Sequence, residues 1–116
     1  MDLDHVGVFV SDLDRSRIFY EETLGLALAA KSEDDAFRIW TFRRGGLEVH
    51  LFEPKKTGAP RIDHVAIKAT RAELDQRIED LRRRGIAFTG PHVFEGTVFI
   101  KVMDPDGAMW EWNAPE

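Results

Sequence analysis

Two of the four histidines in this chain stand in nearly identical short segments. His5 lies in the segment LDHV at residues 3–6, and His64 lies in IDHV at residues 62–65, 59 positions further along. Imidazole nitrogens bind divalent metals and exchange protons near neutral pH. The repeated segments predict that two copies of one unit each bring a histidine to a shared space. Chance similarity between two amphipathic halves is the alternative.

A second pair of candidate ligands recurs later in each copy. His50 and Glu111 are 61 residues apart, and each lies in the segment that reads as the last strand of its copy. If His5 faces a concave surface, the repeat brings His64 and this second pair to the same surface. A carboxylate in an apolar concavity is costly unless it is paired, and a divalent cation would satisfy it together with three imidazoles. Such a ligand set suits Zn²⁺, Ni²⁺, Fe²⁺, Co²⁺ or Mn²⁺ without selecting among them.

Each candidate ligand also has an ordinary structural interpretation. A histidine at the start of a strand, such as His5, is usually a hydrogen-bonded residue. His50 could lie on a solvated strand face, and Glu111 could point outward between two tryptophans. The repeat favours the joint metal site because one operation relates all four residues. His92 stands beside a proline and has no counterpart in the repeat, so we expect it in a surface loop.

The composition restricts both the chemistry and the partners. The chain has no cysteine, which excludes disulfides and thiolate ligands, so a metal would need histidine and carboxylate ligands. A net charge of −5 argues against a nucleic-acid-binding surface. No apolar run approaches the ~20 residues of a membrane helix, and residues 1–4 lack the features of a signal peptide. We therefore expect a cytoplasmic protein with no nucleic-acid or membrane partner.

The first copy, assigned to residues 1–54, reads as β-α-β-β-β. Its strands are predicted at Leu3–Val10, Leu26–Lys31, Phe37–Phe42 and Leu47–Phe52. A helix is predicted over Asp12–Thr23, from a capping box that begins at Ser11 to a stop at Gly25. Residues 43–46 carry a hairpin signal, and residues 55–61 read as a linker.

The second copy, assigned to residues 62–116, repeats that order. A capping box begins at Thr70, apolar residues follow at helical spacing, and Gly85 stops the helix. Its strands are predicted at Ile62–Ala69, Ile86–Thr89, Val98–Met103 and Ala108–Asn113, with a turn at residues 104–107. The fold class is therefore α+β: one domain of two tandem βαβββ modules that form a cupped, barrel-like mixed sheet.

Strand alternation predicts which side chains line the concave face. The substrate pocket is expected to contain Phe9, Arg38, Trp40, Phe52, Lys68, Phe99, Lys101 and Met103. The opposite face, packed under the helices, is expected to contain Phe37, Ile39, Val98, Ile100, Trp110 and Trp112. The three cations of the first set would form a basic rim and favour an anionic substrate. Edge side chains that simply reach solvent are the alternative.

These segments together resemble the vicinal oxygen chelate superfamily. Its members include glyoxalase I, methylmalonyl-CoA epimerase, extradiol dioxygenases, fosfomycin-resistance thiol transferases and bleomycin-binding proteins. The resemblance covers essentially the whole chain. It is carried by DHVGV at 4–8, FY at 19–20 with LGL at 24–26, LEVHL at 47–51, DHVA at 63–66, and DPDG at 104–107 leading to Glu111. It implies paired βαβββ modules, substrates that chelate a metal through adjacent oxygens, and metal ligands at His5, His50, His64 and Glu111.

The resemblance implies a divalent-metal-dependent enzyme of the glyoxalase type, a lyase or isomerase that moves a proton at carbon. Glu111 is the first candidate for the carboxylate that moves it, and Glu48, on the strand face of His50, is the second. In glyoxalase-like and epimerase-like members the position of His50 is commonly Glu or Gln. A thiol transferase, an extradiol-type dioxygenase and a non-catalytic binding or resistance protein therefore stay open. Short chains of this superfamily usually dimerise, so a homodimer is expected.

Overall fold

The computed structural model describes residues 1–57, 63–105 and 108–116, and its elements run in the order β-α-β-β-β twice. The chain divides into two compact units. The first unit comprises residues 5–63, and the second comprises residues 64–116 together with residues 1–4. The α+β class and its two βαβββ modules are confirmed. Part of the predicted linker, Ile62 and the tip of the predicted turn at 104–107 lie outside the described residues. Among the helices described, none has the length and apolarity that crossing a bilayer requires.

The first unit is a four-stranded mixed sheet with one helical segment. Its elements are β1 Asp2–Phe9, of which residues 5–9 belong to this unit, α1 Leu13–Ile18, a π-helical continuation Phe19–Thr23, β2 Ala27–Glu33, β3 Phe37–Arg44 and β4 Leu47–Pro54. The strand order is β2-β3-β4-β1. β1 runs parallel to β4, and the other pairs are antiparallel. All four predicted strands and the predicted helix are present, with ends shifted by one or two residues.

The start of α1 differs from the prediction by one position. Asp12, not Ser11, is the N-cap, and its carboxylate accepts a hydrogen bond from the backbone N–H of Arg15 at 3.1 Å. The Ser11 hydroxyl instead accepts from the Arg15 guanidinium at 2.9 Å. An N-cap side chain reaches the amide three residues on, and the first helical residue is Leu13. The predicted stop is confirmed, because Gly25 has a φ of +71° that favours glycine.

A two-residue turn sets the register of the β3–β4 hairpin. Arg44 pairs with Leu47 across Gly45-Gly46, and the ladder that follows places Thr41 opposite His50. Cross-strand partners share a sheet face. The odd-numbered residues of β3 therefore share the face of His50, and the even-numbered residues face the other way.

The core of the first unit lies between α1 and the even-numbered face of β3. Its buried members are Leu13, Leu26, Trp40, Phe42, Val49 and Leu51. Trp40 was predicted on the concave face, and that prediction is wrong, because the register buries it against the helix. Phe37 and Ile39 were predicted under the helix and lie instead on the face of His50. The Phe37 ring contacts the Phe52 ring edge-on at 5.9 Å between centroids, which agrees with that register.

The second unit repeats the plan with a longer helix. Its elements are β5 His64–Lys68, α2 Arg71–Arg84, β6 Thr89–Phe94, β7 Thr97–Met103 and β8 Met109–Pro115, with strand order β5-β8-β7-β6. The predicted capping box is confirmed, since Thr70 and Glu73 exchange side-chain-to-backbone hydrogen bonds. The predicted stop is confirmed as well, with Gly85 at a φ of +69°. Leu74, Ile78 and Leu81 bury the predicted stripe of α2 against β7 and β8.

The position of β6 was predicted wrongly. The strand spans Thr89–Phe94 rather than Ile86–Thr89, so His92 lies in a strand, opposite Phe99, and not in a loop. Pro91 reads as a strand terminator, but β6 is the outer strand of this unit, where a missing N–H costs no ladder bond. The strand is exposed along its length, so the expectation that His92 is a surface residue is confirmed.

One expected core residue of the second unit is not covered. Trp110 is 40% exposed, whereas Val98 and Ile100 are buried and Trp112 packs partly against the same core. Trp110 lies opposite Val102, near the end of β7.

Candidate metal centre

Two imidazoles of the first unit lie face to face. His5 of β1 is 3% exposed, and its ring stacks on that of His50 with centroids 3.9 Å apart and planes 9° apart. Gly7 is the register partner of His50 on β1 and has no side chain to occupy the space beside the ring. The two rings therefore occupy one small volume on the face opposite the helix.

Glu48 completes this cluster from the same strand. Its Oε2 lies 2.8 Å from His50 Nε2, and its Oε1 accepts a hydrogen bond from Arg43 Nε across the hairpin. The Glu48 and His50 side chains are 21% and 22% exposed. Burial raises the pKa of the Glu48 carboxyl, but the hydrogen bonds and charges of Arg43 and His50 outweigh it and hold that pKa below its ordinary value. Glu48 is thus an ionised carboxylate at neutral pH.

The donor set of this cluster fits a divalent metal. One potential ligand atom from each of His5, Glu48 and His50 lies within 4.8 Å of the other two. Two imidazoles and one carboxylate suit Zn²⁺ and the neighbouring first-row metals. Thr41, opposite His50 and buried, is the polar neighbour on β3.

The second unit holds the other two predicted ligands side by side. His64 and Glu111 have side chains only 3% and 5% exposed, and His64 Nε2 is 4.0 Å from Glu111 Oε1. That separation is too long for a hydrogen bond between those two atoms, and it is within reach of two ligands that each bind one ion at about 2.1 Å. Glu111 Oε2 accepts a hydrogen bond from the Asn113 amide at 3.2 Å. Ala66 is the register partner of Glu111, in the repeat position of Gly7.

The predicted lining residues of the first unit divide into two groups. Phe9 and Phe52 are register partners on the face of His50, as predicted. Arg38 does not lie on that face: its guanidinium pairs with Glu53 Oε1 at 2.9 Å, and Glu53 Oε2 accepts from the Leu13 N–H at the start of α1. The prediction of Arg38 and Trp40 in the pocket is therefore wrong for a single reason, the register of β3.

The predicted lining residues of the second unit share the face of Glu111. Lys101 is its register partner on β7, and Phe99 and Met103 follow at alternate positions. Lys68 is exposed at the end of β5, on the same alternation as His64. The Lys101 ammonium lies over the Phe99 ring, 5.6 Å from its centroid. Whether these residues contact a substrate stays a prediction.

Sequence reasoning missed Arg43, Thr41 and Asn113. A signal for the first two was present, since a two-residue turn at Gly45-Gly46 dictates which residues lie opposite each other. Asn113 follows Glu111 at the spacing at which His50 follows Glu48, so both last strands carry a hydrogen-bonded pair two residues apart.

Comparisons with known proteins agree with this architecture. The chain is 30% identical to metapyrocatechase 2 of Cupriavidus necator, over 97% of its own length but only 36% of that relative. It is 29% identical to glyoxylase I 4 of Arabidopsis thaliana, over 94% of this chain and 68% of that protein. Methylmalonyl-CoA epimerase from Mycobacterium tuberculosis superposes with a TM-score of 0.81 at 22% identity, over 98% of this chain and 87% of the other, which shows the shared fold. The family model for the Glyoxalase/Bleomycin resistance protein/Dioxygenase superfamily matches residues 2–112. The chain therefore belongs to the Glyoxalase/Bleomycin resistance protein/Dioxygenase superfamily.

Proposed function

We propose that this protein is a divalent-metal-dependent enzyme of the glyoxalase type, a lyase or isomerase whose small substrate carries two adjacent oxygens. The proposed metal ligands are His5, His50, His64 and Glu111. The observation that carries the proposal is that each unit holds two of these residues close together: the His5 and His50 rings stack 3.9 Å apart, and His64 Nε2 lies 4.0 Å from Glu111 Oε1. Membership of the superfamily supports the same reading.

The proposed chemistry divides between the cation and the side chains. The bound cation would supply Lewis acidity toward the two substrate oxygens and so make the neighbouring C–H acidic. Glu111 is the proposed proton carrier: its carboxylate takes the proton from carbon and returns it at the adjacent position or on the other face. Asn113 holds one Glu111 oxygen, which leaves the second oxygen to face His64. We also propose Phe9 and Phe52 of the first unit, and Phe99 of the second, as pocket residues.

The charges on the face of Glu111 favour an anionic substrate. Lys101 lies beside Glu111 in the register, and Lys68 is exposed on the neighbouring strand. Arg38 pairs with Glu53 and does not lie on this face, so the proposal of an anionic substrate depends on these two ammonium groups. A carboxylate or a thioester conjugate with an anionic tail would satisfy both. We also propose that the protein forms a homodimer, on the grounds of the superfamily alone.

Metal analysis tests the site. Protein purified without chelator should contain a divalent metal in stoichiometric amount, and the Glu111→Gln and His50→Ala variants should contain much less. Asp75→Asn is the matched control, because Asp75 pairs with Arg71 on the exposed surface of α2. Equal metal in the wild type and both site variants would overturn the proposed ligand set.

Proton exchange tests the reaction. In D₂O, the loaded enzyme should introduce deuterium at the carbon beside the chelating oxygens of 2-oxoaldehydes, their thiol adducts or acyl thioesters, as followed by proton NMR. The Asp75→Asn variant should exchange at the wild-type rate. Absence of exchange across all three substrate classes would overturn the lyase or isomerase proposal.

A dioxygenase is the second candidate, and one observation favours it. The relative named metapyrocatechase 2 is 30% identical over nearly the whole of this chain, although the chain spans about a third of that relative. Two imidazoles and one carboxylate are the ligand set of many non-haem iron oxygenases. Turnover that requires O₂ and Fe²⁺, without carbon-bound deuterium exchange, would favour this candidate over the first.

A further inference from the structure

The strand face that carries His50 holds a continuous row of polar groups that the proposed proton transfer does not use. Arg43 on β3 and Glu48 on β4 are cross-strand partners, and Glu48 and His50 are neighbours on one face of β4. The guanidinium donates to one carboxylate oxygen, and the other carboxylate oxygen contacts the imidazole at 2.8 Å. The His50 ring in turn stacks on His5.

We infer that Glu48 is a positioning residue, neither a metal ligand nor the base, and that it fixes the His50 tautomer so that Nδ1 is the nitrogen offered to the cation. The part of this inference that concerns the cation rests on the proposed function. The part that concerns the tautomer rests on the geometry of the β3–β4 hairpin.

The tautomer follows from which groups can donate. A carboxylate that accepts from a guanidinium has no proton to give, so the hydrogen in the contact between Glu48 and His50 belongs to Nε2. In a neutral imidazole with a proton on Nε2, the lone pair is on Nδ1. Metal-bound histidines commonly donate their other ring N–H to a carboxylate in this way, which fixes the ring and raises its basicity.

The same geometry argues against direct ligation by Glu48. One of its oxygens already accepts from Arg43 and the other contacts His50, so a metal would have to share an oxygen with one of these partners. Arg43 keeps the carboxylate turned toward the hairpin by pairing with it across the strands. This positioning role is needed where residue 50 is a histidine, because a histidine ligand requires a defined tautomer and a carboxylate or amide ligand does not.

The first experiment reads the tautomer in metal-free protein. Long-range proton–nitrogen NMR spectra of the ring, taken at alkaline pH where the imidazole is neutral, should show His50 with its proton on Nε2. The Glu48→Gln variant should show a mixture of tautomers, because the amide that replaces the carboxylate can donate as well as accept. Asp75→Asn should keep the wild-type spectrum. A wild-type His50 with its proton on Nδ1 would overturn the inference.

The second experiment separates positioning from ligation with Co²⁺ as the probe. The Glu48→Gln variant should bind Co²⁺ about 10–100-fold more weakly than the wild type, the usual cost of removing an outer partner. Its visible Co²⁺ absorption should keep the wild-type band pattern, because the ligands are the same. The Arg43→Gln variant, which retains the carboxylate, should keep the tautomer and lose less affinity than Glu48→Gln. A changed band pattern in Glu48→Gln would identify Glu48 as a ligand and overturn the inference.

The two experiments distinguish this inference from the proposed function. A wild-type protein that binds neither Co²⁺ nor Zn²⁺ would overturn the proposed function, and the NMR result would still decide the tautomer. A wrong tautomer beside normal metal binding would overturn the positioning role and leave the metal site standing.

Discussion

The two units place different residues at the same point of one scaffold. In the first unit, β4 carries His50. The His50 ring contacts the ionised Glu48 carboxylate, and Arg43 forms an ion pair with the same carboxylate. In the second unit, β8 presents Glu111, which is almost fully buried and held by the neutral amide of Asn113. A strand position in a duplicated fold can thus carry an imidazole or a carboxylate, provided that the neighbouring positions change with it.

The neighbouring positions did change. The cross-strand pair Arg43 and Glu48 in the first unit corresponds to Met103 and Met109 in the second, which are register partners at the same end of their hairpin. An ion pair supports the imidazole, and two thioethers occupy the matching place beside the carboxylate. The supporting residues, and not the strand scaffold, therefore distinguish the candidate ligands of the two units.

The comparison would fail if the cores of the two units contributed unequally to the free energy of unfolding. Leu13 and Leu74 are each fully buried on the helix of their unit. Replacing either by alanine should lower the free energy of unfolding by about 2–5 kcal/mol, through lost burial and a residual cavity. Urea denaturation followed by circular dichroism measures both. A loss below about 1 kcal/mol in only one of the two variants would show that its unit contributes little to the cooperative fold.

Removing the carboxylate of the second unit should give the largest loss of metal binding. The Glu111→Gln variant replaces a buried carboxyl ligand with an amide of the same shape, so we expect metal affinity to fall more than about 100-fold. Isothermal titration with Zn²⁺ measures the change against Asp75→Asn. Wild-type affinity in the Glu111→Gln variant would remove Glu111 from the ligand set.

Removing the imidazole of the first unit should cost less. His50 is partly exposed and stacks on His5, so the His50→Ala variant should lose at least about tenfold in Zn²⁺ affinity, and less than the Glu111→Gln variant loses. The same titration provides the measurement. A larger loss of Zn²⁺ affinity in His50→Ala than in Glu111→Gln would contradict this ranking of the two residues.

The smallest expected effects concern the helix caps. Asp12 and Thr70 each accept a hydrogen bond from the third helical amide, and Thr70 belongs to a complete capping box. Alanine at either position should cost about 0.5–2 kcal/mol, with Thr70→Ala at the upper end because it opens a reciprocal pair. Thermal unfolding scans measure the shifts. A larger loss in Asp12→Ala would show that the short α1 depends more on its cap than α2 does.

Local signals predicted the second unit's helix well and the first unit's helix less well. The pattern from Thr70 to Gly85 contains a capping box, an apolar stripe and a glycine stop, and all three are present in the structure. In the first unit, Ser11 and Asp12 are adjacent potential caps, and local sequence does not choose between them. The choice depends on where α1 packs Leu13 into the core.

Two errors in the strands have tertiary causes. Arg38 and Trp40 were assigned to the wrong face. Alternation within β3 divides its residues between two faces but does not show which face packs against the helix. Gly90 and Pro91 read as a break, yet they lie within β6 because an outer strand tolerates them. In both cases the deciding fact is where the strand lies relative to elements that are distant in sequence.

The amino-acid sequence by itself determined the duplication, the β-α-β-β-β order, and the imidazole and carboxylate types at His5, His50, His64 and Glu111. These properties are local or periodic, so spacing alone reveals them. The two-residue turn at Gly45-Gly46 indicates Arg43 and Glu48 as strand partners, but only the tertiary structure showed the side-chain contacts of Glu48 with Arg43 and His50, and of Asn113 with Glu111. Such contacts depend on strand register and side-chain packing, since hydrogen bonds form between atoms that the fold brings together and not between positions that spacing relates.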